Sequence, residues 1–198
     1  IYPFSPIRSL MKKEFLVFFV WFAVVSVPIS ILMAQHNLPF SIDVKTPAQL
    51  IKTFSDKDHI LVTHILSAKC KCSKRVGRYL EEISRPAFLH ESIVIVEGSL
   101  PNEAELLKKG YKLSHLTVAD LKTQFNLEAA PVLLVSDSSG ELKYSGGYKN
   151  IDEVDHRDLE IIGQVKAGSK VAAFPVLGCA LTPALKTAMD PFNLKYRY

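Results

Sequence analysis

The sequence feature that most constrains the fold is the stretch Ile60–Ile83, in which a strand, a cysteine pair and a helix follow one another. Ile60–Leu66 is an aliphatic run typical of a buried strand, and Ser73–Ile83 places apolar residues at helical spacing. Cys70 and Cys72 lie between them. Unpaired backbone N–H groups and the helix dipole at the start of a helix favour a thiolate. The stretch therefore predicts redox chemistry.

The cysteine count supports the same prediction. Three cysteines in 198 residues are too few for a disulfide-stapled scaffold, and two of them form a CxC pair. Lys69, Lys71 and Lys74 lie close by, so positive charge is expected to lower the thiol pKa. A disulfide over one residue closes a small ring, which is more easily reduced than a structural bridge. Two other readings stay open: buried structural cysteines, or two thiolates that bind copper(I) or zinc.

An uncharged run of twenty residues, Phe15–Ala34, is long enough to cross a membrane as a helix. Arg8, Lys12 and Lys13 precede it and predict a cytoplasmic N-terminus. The run is longer than the apolar part of a signal peptide, so a retained anchor is favoured over a cleaved signal. Residues 1–14 are interpreted as a cytoplasmic tail or a gene-start artefact. The expected location is the bacterial inner membrane, single-pass, with the C-terminal domain in the periplasm.

The rest of the chain alternates strands with helices, which predicts an α/β fold with parallel strands. Residues 35–45 are interpreted as a linker, 46–167 as the globular domain and 168–198 as a C-terminal extension. A hairpin around Asp137–Gly140 predicts that the sheet is mixed. The remaining predicted strands are Ser92–Glu97, Pro131–Val135 and Glu141–Ser145, and the predicted helices begin at Thr46 or span Asn102–Lys109, Thr117–Asn126, Asp152–Val165 and Pro183–Met189.

Charge and composition argue against nucleic-acid binding. The net charge is only +4, and the lysines are scattered instead of forming a stripe. Hydrophobic residues make up 48% of the chain, and their excess lies in the N-terminal run. The composition is that of one globular domain with an appended membrane segment.

The order strand, cysteine pair, helix, strand, followed by Ala130-Pro131 and the segment DSSGELKYSGGY, resembles the thioredoxin fold in its membrane-anchored periplasmic form. The resemblance covers Pro47–Ala167, and the separation from Cys72 to Pro131, 131 − 72 = 59 positions, is similar to that of the TlpA and ResA type. It implies a mixed sheet flanked by helices and a cis Pro131 that faces the cysteines. It also implies a thiol-disulfide oxidoreductase whose partners are protein thiols or disulfides and which needs no cofactor. The motif here is CxC in place of CxxC.

The resemblance implies roles for three residues. Cys70, expected to be the more exposed cysteine at the helix start, attacks a partner disulfide, and Cys72 resolves the mixed disulfide. Flanking Lys69 and Lys71 are expected to make Cys70 the stronger thiolate. Pro131 shapes the groove for the partner's extended backbone.

Other chemically active residues have open or structural interpretations. Cys179 is a third redox thiol close to the site or a buried small hydrophobe. His64, in the strand before the cysteines, is interpreted as a structural histidine. His156 is similar to the histidine that Sco-like copper proteins use, but it follows the hairpin instead of preceding the strand at Pro131. Copper(I) delivery is therefore the second hypothesis, and a non-catalytic interaction domain on the same scaffold is the third.

Overall fold

The computed structural model describes residues 7–36, 59–149, 156–190 and 196, and the chain divides into two units, Ile1–Asn37 and Leu38–Tyr198. The first unit contains one helix, α1 (Ile7–His36). Its segment Lys13–Ser30 has a mean hydropathy of 1.7, and none of it is buried. An exposed apolar helix of this length is long and apolar enough to cross a membrane.

The second unit carries the cysteines in a mixed sheet. Its elements run β1 (Ile60–Ser67), α2 (Lys71–Glu82), β2 (Leu89–Val96), α3 (Glu103–Lys108), β3 (Lys112–Leu116), α4 (Val118–Phe125), β4 (Ala129–Ala130), β5 (Val132–Ser136), β6 (Leu142–Gly146), α5 (Asp158–Lys166), β7 (Cys179–Ala180) and α6 (Pro183–Met189).

Within the described residues, the main sheet has the order β3-β2-β1-β5-β6. β1 pairs parallel to β2 and antiparallel to β5, β2 pairs parallel to β3, and β5 and β6 form the predicted antiparallel hairpin. The short strands β4 and β7 pair separately. This order, with helices connecting the parallel strands, is a thioredoxin-like α/β fold, so the predicted fold class is confirmed.

Side chains alternate between two cores because successive residues of a strand point to opposite faces. In β5, for example, Leu133 and Val135 contribute to the first core, whereas Val132 and Leu134 contribute to the second. Helices α2, α3 and α5 pack into the first core, and α4 and the C-terminal segment pack into the second. The central strands are therefore buried on both faces, as their β-branched composition predicts.

Local sequence signals account for the ends of α4 and for the start of α6. Thr117 accepts a hydrogen bond from Asp120 N at 3.1 Å and starts α4, and Asn126 ends it with a φ of 56°. Thr182 accepts from Leu185 N at 3.3 Å, and Pro183 takes the first position of α6. These two helices match their predicted bounds closely.

Two predicted helices differ from the structure or lie outside its described residues, and strand β3 has no counterpart in the prediction. β3 was not predicted, because its polar residues form an edge strand that is mostly exposed. The helix predicted from Asp152 begins at Asp158 in the structure, because His156 and Arg157 are not helical. Residues 150–155 lie outside the described part of the chain. The helix predicted to start at Thr46 also lies outside the described residues.

Candidate functional site

Cys70 connects the end of β1 to the start of α2. It is the N-cap of the helix, with φ −88° and ψ 124°, and its backbone N–H donates to Ser67 O at 3.1 Å. Its carbonyl accepts the first helical hydrogen bond, from Lys74 N at 3.0 Å. The sulfur therefore lies at the amino end of a helix, where backbone N–H groups have no helical acceptors.

The prediction that Cys70 is the more exposed cysteine is wrong. Cys70 is 1% exposed, whereas Cys72 is exposed. Cys70 Sγ lies 3.7 Å from the carbonyl oxygen of Ala130, within the range of a weak S–H donor. Ala130 in β4 and Cys179 in β7 both lie against this sulfur, and both are distant from it in sequence.

Hydrogen bonds hold the pKa of the Cys70 thiol well below its usual value near 9. The largest contribution comes from Cys179, and Cys72 adds a second one. Burial opposes both, and the backbone N–H and hydroxyl of Ser73 lower the pKa further. These hydrogen bonds therefore favour the thiolate form of Cys70. The stabilisation comes from short-range hydrogen bonds, whereas the sequence argument assigned it to Lys69 and Lys71.

Ser73 has a specific relation to this thiolate. Its side chain is fully buried, and its hydroxyl has no hydrogen-bond partner in the described part of the chain apart from its interaction with Cys70. A buried hydroxyl without an acceptor costs free energy. The thiolate form of Cys70 supplies an acceptor, so the site is built for the charged sulfur.

Pro131 lies beside the cysteines, and the Ala130-Pro131 peptide bond is cis, as the resemblance implies. β7 pairs antiparallel with β4, so that Cys179 is directly opposite Ala130. The approach of the two strands is close. A Cβ added to Gly178 would lie 1.9 Å from Ala130 O and 2.7 Å from Pro131 Cδ.

The segment that carries Cys179 is held firmly in place. Val176 and Leu181 are buried in the second core, and Leu181 N donates to Glu128 O at 2.7 Å. In α6, Lys186 Nζ lies 3.2 Å from Glu97 Oε1 in a mostly buried ion pair. Residues 176–186 of the predicted C-terminal extension thus pack against the thioredoxin-like unit.

A cleft of about 220 Å³ is lined in part by Pro131. The exposed Cys72 lies in its wall, together with other residues of α2, the segment that follows β6 and the C-terminal segment. The sequence analysis did not identify Tyr148 as part of the site, and it considered His156 only under the second hypothesis. The GGY segment at the end of β6 is the sequence signal that could have indicated this wall of the cleft. The lining residues are Cys72, Arg75, Val76, Pro131, Gly147, Tyr148, Lys149, His156 and Leu177.

A buried polar network supports the floor of this cleft. His64, fully buried, bonds Tyr148 OH at 2.8 Å through Nδ1 and Glu91 Oε1 at 3.1 Å through Nε2, which confirms it as a structural histidine. Arg85 bridges Glu91 and the buried Asp158. Desolvation raises the pKa of Glu91, but the hydrogen bonds from His64 and Arg85 outweigh it and lower that pKa to about 2.

The same network extends to His156. Tyr79 donates to Asp158 Oδ1 at 2.6 Å, and its ring stacks on that of His156 with a centroid distance of 4.3 Å. Tyr148 contacts His156 edge to face at 5.8 Å. His156 is thus held as an aromatic wall of the cleft. Among residues 7–36, 59–149, 156–190 and 196, no group of three or more His, Cys, Asp or Glu side chains is arranged to hold a metal ion.

A protein-family model described as a domain of unknown function, DUF6436, matches residues 41–151. No curated protein matches the chain.

Solved structures resemble the chain over most of their length. A hypothetical protein from Sinorhizobium meliloti 1021 is 20% identical, with 74% of this chain and 94% of that chain covered and a TM-score of 0.40. An uncharacterized conserved protein from Geobacillus kaustophilus is 16% identical, with 74% and 90% covered and a TM-score of 0.48. The thioredoxin domain of a thiol-disulfide oxidoreductase from Bacteroides vulgatus is 12% identical, with 67% and 96% covered and a TM-score of 0.39.

Proposed function

Because the chain belongs to the DUF6436 family and carries this cysteine site on a thioredoxin-like fold, we propose that it is a thiol-disulfide oxidoreductase that exchanges disulfides with protein partners through Cys70 and Cys72. The observation that carries the proposal is the lowered pKa of Cys70 at the amino end of α2, beside an exposed second cysteine. A thiolate at a helix start is the reactive form in this chemistry. No organic cofactor enters the proposal, because the sulfurs carry the electrons.

Burial reverses the roles expected from sequence. A partner sulfur reaches Cys72 in the cleft, whereas Cys70 is covered. In the reducing direction, the deprotonated sulfur of Cys72 attacks the partner disulfide, the partner S–S bond breaks, one partner sulfur leaves as a thiolate that takes up a proton, and a mixed disulfide forms with the other. The Cys70 thiolate then attacks Cys72 Sγ, the Cys70–Cys72 bond forms, and the partner sulfur leaves as a thiolate that takes up a proton. Two electrons pass from the cysteine pair to the partner.

The lowered pKa of Cys70 favours the opposite direction. When a partner thiolate attacks Cys72 in the Cys70–Cys72 disulfide, Cys70 is the leaving group. A sulfur with a low pKa leaves faster, and its stabilised thiolate favours the reduced form of the pair. Donation of the disulfide to partner thiols is therefore the favoured reaction.

The test is a redox titration of the full chain in detergent against a series of glutathione ratios, with alkylation, mass spectrometry and metal analysis of each sample. Cys70 should pass from alkylated to protected, together with a second cysteine of the site, as the ratio becomes oxidising. Cysteines that stay reduced at every ratio while one copper(I) or zinc ion binds would support metal handling instead. Neither behaviour would support a non-catalytic interaction domain.

A trapping experiment tests the roles. Cys70→Ser removes the resolving thiolate, so this variant should accumulate mixed disulfides on Cys72, and Cys72→Ser should not. Trapping by Cys72→Ser alone would restore the order in which Cys70 attacks first.

The proposed location is the outer face of the bacterial inner membrane, with α1 as a single-pass anchor. The exposed apolar segment Lys13–Ser30 and the basic residues Arg8, Lys12 and Lys13 support it. A reporter fused after Tyr198 should be active only outside the cytoplasm, and carbonate washing should leave the protein in the membrane. A released fragment that starts near Gln35 would identify α1 as a cleaved signal, and a reporter active in the cytoplasm would contradict the topology.

A further inference from the structure

We propose that Cys179 is a third redox cysteine, which forms a disulfide with Cys70 and makes the centre a three-cysteine exchange site. The proposal rests on the proposed function and adds a residue to its site. Its basis is the position that β7 takes across β4, next to Pro131.

Cys70 and Cys179 both lie next to Ala130. Cys70 Sγ lies 3.7 Å from the carbonyl oxygen of Ala130, and Cys179 is the cross-strand partner of Ala130 in the β4–β7 pair. The Cys179 side chain also interacts with the Cys70 sulfur, and this contact is the largest one that favours the thiolate. The two sulfurs are therefore neighbours although their residues are 179 − 70 = 109 positions apart.

Close packing on both sides fixes this approach. Gly178 leaves no space for a Cβ against Ala130 O, and Gly147 leaves none against the carbonyl of Pro175, where a Cβ would lie 2.0 Å away. Gly147 N also donates to Phe174 O at 3.0 Å. Backbone contacts at Gly178 and near Phe174 and Pro175 thus hold the segment that bears Cys179, and they determine its position beside Cys70.

An extended peptide can pair with an open strand edge, and β7 pairs with β4 in this antiparallel manner. β7 takes this position with a cysteine at the facing residue. The chain therefore carries its own segment in the place of a partner, with a thiol directed at the buried sulfur.

The geometry at the start of α2 favours a disulfide between Cys70 and Cys179, although the two residues are far apart in sequence. Cys72 is only two positions from Cys70 along the chain, and its side chain also contacts the Cys70 sulfur. A bond between them closes a small ring at the first turn of α2. Cys179 approaches from a separate strand, so its bond to Cys70 needs no change in the helix.

The chemical step is an exchange without net oxidation. The Cys179 sulfur, as a thiolate, attacks Cys70 Sγ in the Cys70–Cys72 disulfide; the Cys70–Cys179 bond forms, and the Cys70–Cys72 bond breaks. Cys72 leaves as a thiolate and takes up the proton that Cys179 released. The oxidised protein then presents an exposed Cys72 thiol in the cleft while β7 is covalently tied beside Pro131.

Trypsin separates the three cysteines, which makes the test direct. Cleavage after Lys69, Lys71 and Lys74 places Cys70 and Cys72 on different peptides, and cleavage after Lys170 and Lys186 releases Val171–Lys186 with Cys179. The full chain in detergent is oxidised with glutathione disulfide, blocked with N-ethylmaleimide and digested without reductant. A linked pair of the Cys70 peptide and Val171–Lys186 should appear in the mass spectrum.

Variants decide between the possible outcomes. Cys72→Ser should still form the Cys70–Cys179 pair as its main product, and Cys179→Ser should form only the Cys70–Cys72 pair. Cys70→Ser, the matched control, should lose the link to Val171–Lys186. If oxidised Cys72→Ser carries only glutathione on Cys70, the proposal for Cys179 is wrong. The proposed function would still stand, because the wild-type protein would still form the Cys70–Cys72 disulfide. Wild-type protein with no disulfide at any ratio would instead refute the proposed function.

Discussion

Replacement of Gly178 by alanine should uncover Cys70. The new Cβ would lie 1.9 Å from Ala130 O, whereas real Cβ atoms essentially never come within 3.0 Å, so β7 must move by at least 3.0 − 1.9 = 1.1 Å. Overpacking of this kind costs about 1–3 kcal/mol. The clash exists only while β7 is docked, so it should raise the undocked population about 5- to 150-fold. The rate of Cys70 alkylation should rise by the same factor, because burial protects this sulfur.

The assay is pulse alkylation of the reduced full chain with iodoacetamide, followed by mass spectrometry of the Cys70 tryptic peptide. Gly163→Ala is the matched control, because a Cβ there meets nothing within 4 Å and the residue lies inside α5. Alanine favours a helix interior over glycine by about 1 kcal/mol, so this change should raise stability and leave the alkylation rate unchanged. An unchanged Cys70 rate in Gly178→Ala would refute the view that β7 covers the site.

Three further predictions follow from buried residues near the site. Leu80→Ala should lower the free energy of unfolding by about 2–5 kcal/mol in chemical denaturation, since Leu80 is fully buried, and Leu107→Ala, at 57% exposure, should change it by less than about 0.5 kcal/mol. Ser73→Ala should raise the pKa of the Cys70 thiol, measured as thiolate absorbance against pH, and Ser138→Ala, in the exposed hairpin turn, should not. A thiol whose pKa is lower in the folded than in the unfolded protein stabilises the fold fully when the pH is above its unfolded pKa near 9. The free energy of unfolding of the reduced protein, relative to that of Cys70→Ser, should therefore fall by up to about 1.4 kcal/mol for each pH unit below 9. A difference between the two proteins that stays constant from pH 9 to 5 would contradict the lowered pKa of Cys70.

The parts of the fold that could be predicted from sequence are those with strong local signals. The aliphatic run before the cysteines predicted β1, the turn at Asp137–Gly140 predicted the β5–β6 hairpin, and the predicted starts at Thr117 and Pro183 lie at the starts of α4 and α6. β3 escaped because an exposed edge strand needs neither β-branched residues nor strict alternation. Main-chain hydrogen bonds determine its pairing with β2, and they place few requirements on which side chains the strand carries.

The burial of Cys70 could not be predicted, because its cover is assembled from distant parts of the chain. Ala130 and Cys179 lie 60 and 109 positions after it. Local reasoning places a cysteine at a helix start in solvent, and only tertiary packing reverses this. The one signal in the sequence was Gly178 beside Cys179, since glycine next to a reactive residue permits a close backbone approach.

The two cores of the domain have separate effects on the site. The first core, with α2 and Tyr148, supports the helix start and the cleft in which Cys72 is exposed. The second core contains Val176 and Leu181 and holds the strand that bears Cys179. A mutation in the second core should therefore loosen the cover over Cys70 and the part of the cleft wall formed by Pro131 and Leu177. A mutation in the first core should instead disturb the helix start, which carries both cysteines of the CxC pair, and the wall formed by Tyr148.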